Sequence, residues 1–312
     1  MNYQIKSLIQ NFIALLPNNF SNNLYFFLQR RLGNLKKFVP DGQFQAAIKI
    51  KKILDNNDRK LNSSKLLEIG SGRCPITSIS LWLLGAESIT TVDINFYFRK
   101  EIFSDFVNWL EDNKYFLIKR YPEILKKRLD IFLGINWDQS MDEILIKLRN
   151  LGINYIAPCD ASSLNIEDNY FEYQFSYNVI EHVPPYMIEK IFLEFKRVLK
   201  KDSLLINNID YTDHFAHSDK NISPINFLRF SNFTFSILAG NKFMYMNRLR
   251  DDDIQNIFKK LKLKIIHYEN FVDSNIKNDI YENKLKLDKR FINKNPIHLA
   301  TLESWYCLKI EK

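Results

Sequence analysis

A chain of 312 residues, 46% of them hydrophobic, is long enough to bury a sizeable core and too apolar to be disordered. Its 44 Lys and Arg against 36 Asp and Glu leave a net charge of +8, but the lysines are spread among asparagines and isoleucines, which disfavours a nucleic-acid partner. The three cysteines, Cys74, Cys159 and Cys307, exclude a disulfide framework and a Cys-x-x-Cys zinc site, and the lack of a signal-peptide or spanning pattern makes the cytoplasm the expected compartment.

Residues 1 to 62 read as a helical cap. Ile5, Leu8, Ile9, Phe12, Ile13 and Leu16 recur at helical spacing, as do Leu24, Phe27, Leu28 and Leu32, then Phe44, Ala47, Ile48 and Ile53. These helices are expected to cover a pocket, and an amphipathic first helix leaves peripheral membrane contact open.

Residues 63 to 312 are expected to form the main domain. Its first strand, Leu66-Leu67-Glu68-Ile69, runs into Gly70-Ser71-Gly72 before a helix, a loop whose glycines let backbone approach a ligand and whose helix offers free N–H groups. A second apolar run, Ser88-Ile89-Thr90-Thr91-Val92, ends in Asp93, a carboxylate that can accept from both hydroxyls of a ribose. Each feature alone is also consistent with a plain turn or a helix cap.

From about 96 to 151 the chain is far longer than one crossover needs, with helical patterns over 98–110, 121–132 and 141–151. This helical insertion is expected to enclose substrate or to contact another subunit; the sequence does not set the oligomeric state. A third apolar run, Ile153-Asn154-Tyr155-Ile156-Ala157, precedes Asp160-Ala161-Ser162, and a fourth, from Phe171 to Tyr177, leads through Asn178 to Ile180-Glu181-His182-Val183-Pro184. Arg197-Val198-Leu199-Lys200 closes a helix before Ser203-Leu204-Leu205-Ile206, and strands over 263–268 and 302–310 follow a mixed segment over 210–250. The basic groups Lys126-Lys127-Arg128 and Lys259-Lys260-Leu261-Lys262 lie on helical patterns and read as solvated faces.

The glycine loop separates two cofactor classes. A dinucleotide site of the form G-x-G-x-x-G would need glycine at 75, where the chain has Pro75. Read as E-x-G-x-G-x-G, the loop is Glu68-Ile69-Gly70-Ser71-Gly72-Arg73-Cys74, with cysteine in place of the last glycine. With Asp93, Asp160 and the fourth-strand exit in order, the chain resembles the class I S-adenosylmethionine-dependent methyltransferases over roughly residues 64 to 210. The resemblance implies an α/β fold, a Rossmann-like seven-stranded sheet here carrying the helical cap and insertion, and S-adenosyl-L-methionine as cofactor. It further implies that Glu68 sits near the methionine ammonium and that Gly70, Ser71 and Gly72 lie against the methionine and ribose. Asp93 would then bind the ribose hydroxyls, Asp160 and Ala161 the adenine edge, and the backbone at Tyr177 and Asn178 would complete the ammonium site.

Methyl transfer to a hydroxyl needs alignment and a proton acceptor. The candidates are His182 after the fourth strand and His214 and His217 after the fifth, each of which could instead only brace its loop. Asn208-Ile209-Asp210-Tyr211-Thr212-Asp213-His214-Phe215-Ala216-His217 places two acids among two histidines, but no metal is assigned, because nearness in sequence does not establish convergent geometry. Asn247, Arg248 and Arg250 are further polar candidates for substrate, and Phe233, Phe235, Phe243 and Tyr245 candidates for an apolar lid. The segment over 210–250 resembles bacterial methyltransferases of surface-polysaccharide or small-molecule tailoring, which implies O-methylation of a sugar, a glycolipid precursor or a small metabolite. The alternatives are a non-catalytic cofactor-binding or assembly module and a nucleic-acid methyltransferase. The latter is disfavoured because Pro184-Pro185-Tyr186 follows Asn178 out of register, and no Pro-Cys nucleophile stands at the fourth strand.

Overall fold

A computed structural model describes residues 1–33, 35, 36 and 39–310. Three helices come first, α1 (Tyr3–Ala14), α2 (Asn18–Leu32) and α3 (Asp41–Asn56). Next come β1 (Lys65–Ile69), α4 (Ile76–Leu83) and β2 (Ser88–Val92), then the insertion helices α5 (Lys100–Arg120), α6 (Lys126–Leu133) and α7 (Met141–Asn150). The chain continues through β3 (Ile153–Ile156), β4 (Phe171–Tyr177), α8 (Pro185–Val198) and β5 (Leu199–Asp210). It closes with α9 (Asn232–Ala239), α10 (Asp251–Lys260), β6 (Leu263–Val272), α11 (Ser274–Tyr281), α12 (Pro296–Ala300) and β7 (Thr301–Ile310).

Local chemistry sets several boundaries. Helix α7 begins with a capping box, in which Ser140 accepts the Glu143 N–H and Glu143 accepts the Ser140 N–H. The pattern over 121–132 starts too early, because Pro122 has no N–H to donate and keeps Tyr121 out of the helical region; α6 starts at Lys126. Helix α5 outruns its pattern to Arg120, since Leu117, two turns beyond Leu110, is buried again.

The sheet order is β3-β2-β1-β4-β5-β7-β6, with β3 through β5 parallel and β7 antiparallel between β5 and β6. A central parallel strand must be covered on both faces. On one face Leu66 packs in a core with Phe44 and Ile48 of α3, Ile79 of α4 and Phe103 of α5. On the other, Leu67 and Ile69 meet Ile188, Phe192 and Phe195 of α8 and Phe258 of α10. A smaller core, including Phe215, Phe227, Met246 and Leu299, lies under the 210–250 segment. Strand order reverses between β1 and β4, so their carboxyl ends part over a crevice where ligands bind in folds of this kind.

Helix α1 departs from its expected role. The stripe that marks it as a helix faces solvent, with Ile5 54%, Leu8 70%, Ile9 42% and Phe12 69% exposed, while Ser7, Gln10 and Ile13 are buried. Helices α2 and α3 reach the crevice, and α1 lines neither of its cavities. No helix among the described residues is long and apolar enough to cross a membrane.

Candidate active site

Strand β1 carries Glu68 and the Gly70-Ser71-Gly72 loop to the crevice. Gly70 has φ +74°, and a Cβ there would stand 2.5 Å from Val179 Cγ2, so this glycine allows the β4 exit loop to press close. Gly72, at φ +63°, differs: a Cβ would meet nothing within 4 Å, because this residue borders open space. Between them the Ser71 hydroxyl is buried with no hydrogen-bond partner among the described residues, a group that a polar ligand would satisfy. Asp93 Oδ2 accepts the Gly72 N–H at 3.1 Å and ties the ends of β1 and β2 together.

Two adjoining cavities of about 260 and 440 Å³ share Gly70, Gly72, Arg73 and Asn178. Glu68, Ser71, Thr77 and Tyr177 also line the first; Asp93, His182, Phe243 and Tyr245 line the second. Together they suit an elongated molecule in the usual size range of small-ligand sites. Both acids are held by burial near neutrality: Glu68 is pushed up to about 7, although the Ser78 hydroxyl donates to it at 2.7 Å. Burial likewise raises Asp93 to about 6 against the pull of the Gly72, Asn95 and Ile94 N–H groups. A ligand cation beside Glu68 would stabilise its ionised form. The open cradle at Gly72, the orphan Ser71 hydroxyl and the desolvated Glu68 therefore fit the methionine half of S-adenosylmethionine, and Asp93 fits a ribose.

Of the other expected cofactor residues, Tyr177 and Asn178 line the cavities. Asn178 adopts φ +55°, a left-handed conformation that Asn enters more readily than most residues, and turns the chain out of β4 into the crevice wall. Asp160 and Ala161 line neither cavity; the Asp160 carboxylate accepts the Ser162 N–H at 2.8 Å and is exposed. Their segment still runs beside the site, because the Cys159 N–H donates to the Asp93 carbonyl at 2.8 Å.

The three histidines, distant in sequence, form one cluster. His182 and His214 meet edge to face with ring centroids 5.0 Å apart, and His214 stacks on His217 at 4.8 Å. Asp210 Oδ2 lies 3.2 Å from His214 Nε2 and 3.8 Å from His217 Nε2. Of the three, only His182 lines a cavity, the larger of the two. Its ring reaches solvent at the cavity mouth, yet the protein crowded around it and the neighbouring His214 lower its pKa to about 4. Burial works against the Asp210 carboxylate, but His214 and Thr212 outweigh it and hold Asp210 below the usual range. Glu181 is buried beside them with neither carboxylate oxygen in a well-formed hydrogen bond among the described residues, and burial with the nearby Asp210 charge raises its pKa.

Several polar candidates of the 210–250 segment prove structural. Arg250 is fully buried and donates to the carbonyls of Tyr211, Leu299 and Thr301, and Arg248 donates to those of Phe227 and Phe230, so neither faces substrate. Asn247 Nδ2 donates to the carbonyls of Ile180 and Val183 and thus braces the loop that carries His182. Phe243 and Tyr245 border the cavity, whereas Phe233 is 77% exposed and Phe235 is buried in the smaller core. The lining residues that the sequence does not single out include Tyr25 and Gln43 from the N-terminal helices, Arg73 from the glycine loop itself and Tyr97 after β2. Of these four, only Arg73 carries a local signal, its place within the motif.

Residues 119–207 match a family described as methyltransferase domain. Among solved structures, the chain is similar to Haemonchus contortus phosphoethanolamine N-methyltransferase 2 in complex with S-adenosyl-L-methionine, at 15% identity and a TM-score of 0.50, over 100% of this chain and 60% of that one. It is also similar to the magnesium protoporphyrin IX methyltransferase of Synechocystis with bound S-adenosylhomocysteine, at 11% identity and a TM-score of 0.47, over 98% and 99% of the two chains. No curated protein matches the chain.

Proposed function

We propose that this S-adenosylmethionine-dependent methyltransferase methylates a hydroxyl oxygen of a sugar, a glycolipid precursor or a related small metabolite. The observation that supports an oxygen acceptor is the gathering of His182, His214, His217 and Asp210 at the mouth of the crevice that holds Glu68, Gly72 and Asp93. The bound cofactor supplies an electrophilic methyl group on a sulfonium. This chain's part is to hold the acceptor in line and to take its hydroxyl proton at His182 Nε2, while Phe243 and Tyr245 wall the acceptor side. His182 is neutral at physiological pH and has the lone pair to do so. His214, held by Asp210, packs edge to face against the His182 ring and so helps to fix its position.

The test is methyl release from labelled S-adenosylmethionine in the presence of nucleotide sugars, glycans and polyprenyl-linked sugars. Acceptor-dependent turnover with an O-methyl product supports the reading. Cofactor binding without turnover on any acceptor turns it toward a non-catalytic module.

Glu181 favours a second reading. Its ligand atom and those of His182 and His214 lie within 4.8 Å of one another, as do those of Asp210, His214 and His217. A divalent ion among them would lower the pKa of an acceptor hydroxyl directly. Turnover that is lost on chelation and restored by Mn²⁺ or Zn²⁺ selects this route; turnover indifferent to chelation keeps the histidine base.

A further inference from the structure

Helix α1 is amphipathic in the reverse of the usual sense. A surface helix of a water-soluble protein turns its apolar stripe to the core. Here Ile5, Leu8, Ile9 and Phe12, at i, i+3, i+4 and i+7, face solvent, and the side turned inward carries Ser7 and Gln10 between Tyr3 and Ile13, the apolar contacts at its two ends. Polar bonds hold it that way: Ser7 Oγ donates to the Leu238 carbonyl at 2.6 Å, Asn11 Nδ2 to the Ile237 carbonyl at 2.8 Å, and Gln10 Nε2 to Tyr25 Oη at 2.9 Å. These contacts bring α9 alongside with its own apolar residues outward, Phe233 77% and Ile237 57% exposed. Leu15, Phe20 and Phe27 extend the exposed apolar surface toward α2. So many large apolar side chains exposed on neighbouring helices mark an interaction surface.

The segments that build this surface carry charge of one sign along the chain. Residues 1–40 contain five Lys and Arg and no Asp or Glu, and residues 220–250 likewise contain five and none. Without these ten cations the chain has 34 Lys and Arg against 36 acids, so its net positive charge resides in the two segments that build this face. Arg248 and Arg250 are buried, but Arg31, Lys36, Lys220, Arg229 and Lys242 are exposed, and Lys6 is half-buried. An apolar stripe flanked by cations, with no anion in either segment, is complementary to the interface of a bilayer that carries anionic headgroups.

The face also connects to the crevice. Lys242 Nζ reaches Asn18 Oδ1 at 2.8 Å and Ser21 Oγ at 2.6 Å, Phe243 stacks on Tyr25 with centroids 4.2 Å apart, and Tyr25, Lys242, Phe243 and Tyr245 line the larger cavity. We propose that α1, α9 and the start of α2 dock this protein on an anionic lipid surface, with the cavity mouth beside the headgroups. The docking stands independently of the acceptor's identity; that a lipid-linked acceptor enters the cavity from this side rests on the O-methylation reading above.

The test is flotation of the full chain with vesicles of phosphatidylcholine alone and of phosphatidylcholine mixed with phosphatidylglycerol, at low and high salt. The expected result is binding to the anionic vesicles that weakens with salt. The double variant Leu8→Glu, Phe12→Glu should partition roughly tenfold less or worse, because it removes two large apolar side chains from the buried set. Both positions are exposed, so the variant folds, as an unchanged melting temperature will show. Tyr115→Glu, at an 88% exposed position on α5, is the control that leaves binding unchanged. No flotation at low salt overturns the proposal. So does wild-type self-association in ultracentrifugation that the double variant abolishes without vesicle binding, which would make the face an interface between copies. Vesicle binding without methyl transfer to any lipid-linked sugar would leave the docking intact and count against the acceptor alone.

Discussion

His182 Nδ1 lies 2.8 Å from the Tyr245 carbonyl oxygen, an atom that only accepts, so the neutral ring carries its hydrogen on Nδ1 and leaves the Nε2 lone pair free. The contact joins the β4 exit loop to the 210–250 segment. Asn247, two residues on, braces the same loop through the Ile180 and Val183 carbonyls. A short polar clamp thus orients the one histidine of the cluster that lines the cavity.

Replacing His182 by Ala should lower kcat by about 10² to 10⁴-fold, the range of a positioned base, while calorimetry finds S-adenosylmethionine affinity unchanged. The wild-type profile should show no inflection from His182 between pH 6 and 8, because its pKa is about 4 and the ring is already neutral there. Full turnover in the variant would remove the residue from the base role.

Affinity for S-adenosylmethionine should fall as pH drops through about 7. Glu68 must be ionised to hold an ammonium, and its raised pKa means that it protonates in that range. Without cofactor the linkage has the opposite sense: an acid near 4.5 when unfolded and about 7 when folded favours the native state at low pH, and that contribution is lost as pH rises from about 4.5 through 7. Binding and melting curves of the wild type minus those of Glu68→Gln isolate both effects. A difference independent of pH would show that Glu68 does not titrate there.

The two glycines should fail in different ways. Gly70→Ala places a Cβ against Val179 in a left-handed backbone and should cost about 1–3 kcal/mol of stability, with a lowered melting temperature. Gly72→Ala meets open space, so beyond the backbone penalty of about 1–2 kcal/mol its main effect should be weaker cofactor binding, as the methyl fills the cradle. Calorimetry on the folded variants separates the cases.

Asp93→Ala should weaken S-adenosylmethionine by at least about tenfold, since a carboxylate accepting hydroxyl hydrogen bonds is worth about 1.5–3 kcal/mol. The variant also frees the Gly72 N–H, so part of the loss should appear as a modest decrease in melting temperature.

Arg250→Met should destabilise the protein by about 3 kcal/mol or more. It strips three buried carbonyls of their donor, and each unpaired group costs about 1–3 kcal/mol. Thermal unfolding reads this directly. A variant as stable as the wild type but deficient in acceptor binding would instead restore a substrate role to Arg250.

Much of this architecture is local information. The acid and glycines after β1 and Asp93 after β2 stand where apolar runs end, and the order of such runs along the chain is what a parallel sheet with crossover helices requires. Period also identified α1 as a helix, because 3.6-residue spacing of apolar side chains says which residues share a face. It did not say which way that face points. The outward turn of Ile5 and Phe12 depends on Ser7 and Asn11 finding the carbonyls of α9, more than 200 residues away in the chain.

The same limit governed the site. Residue type and strand position alone determined that this chain builds a nucleotide-type crevice, because backbone freedom at Gly70 and Gly72 and the carboxylates of Glu68 and Asp93 are properties of those residues where they stand. Only the tertiary structure decided which histidines meet, that Tyr25 and Gln43 come down from the N-terminal helices to line the cavities, and that Arg248 and Arg250 are staples facing inward. Those are contacts between segments remote in sequence, and their partners are chosen by packing and by the need to satisfy every buried polar group, neither of which leaves a local pattern to read.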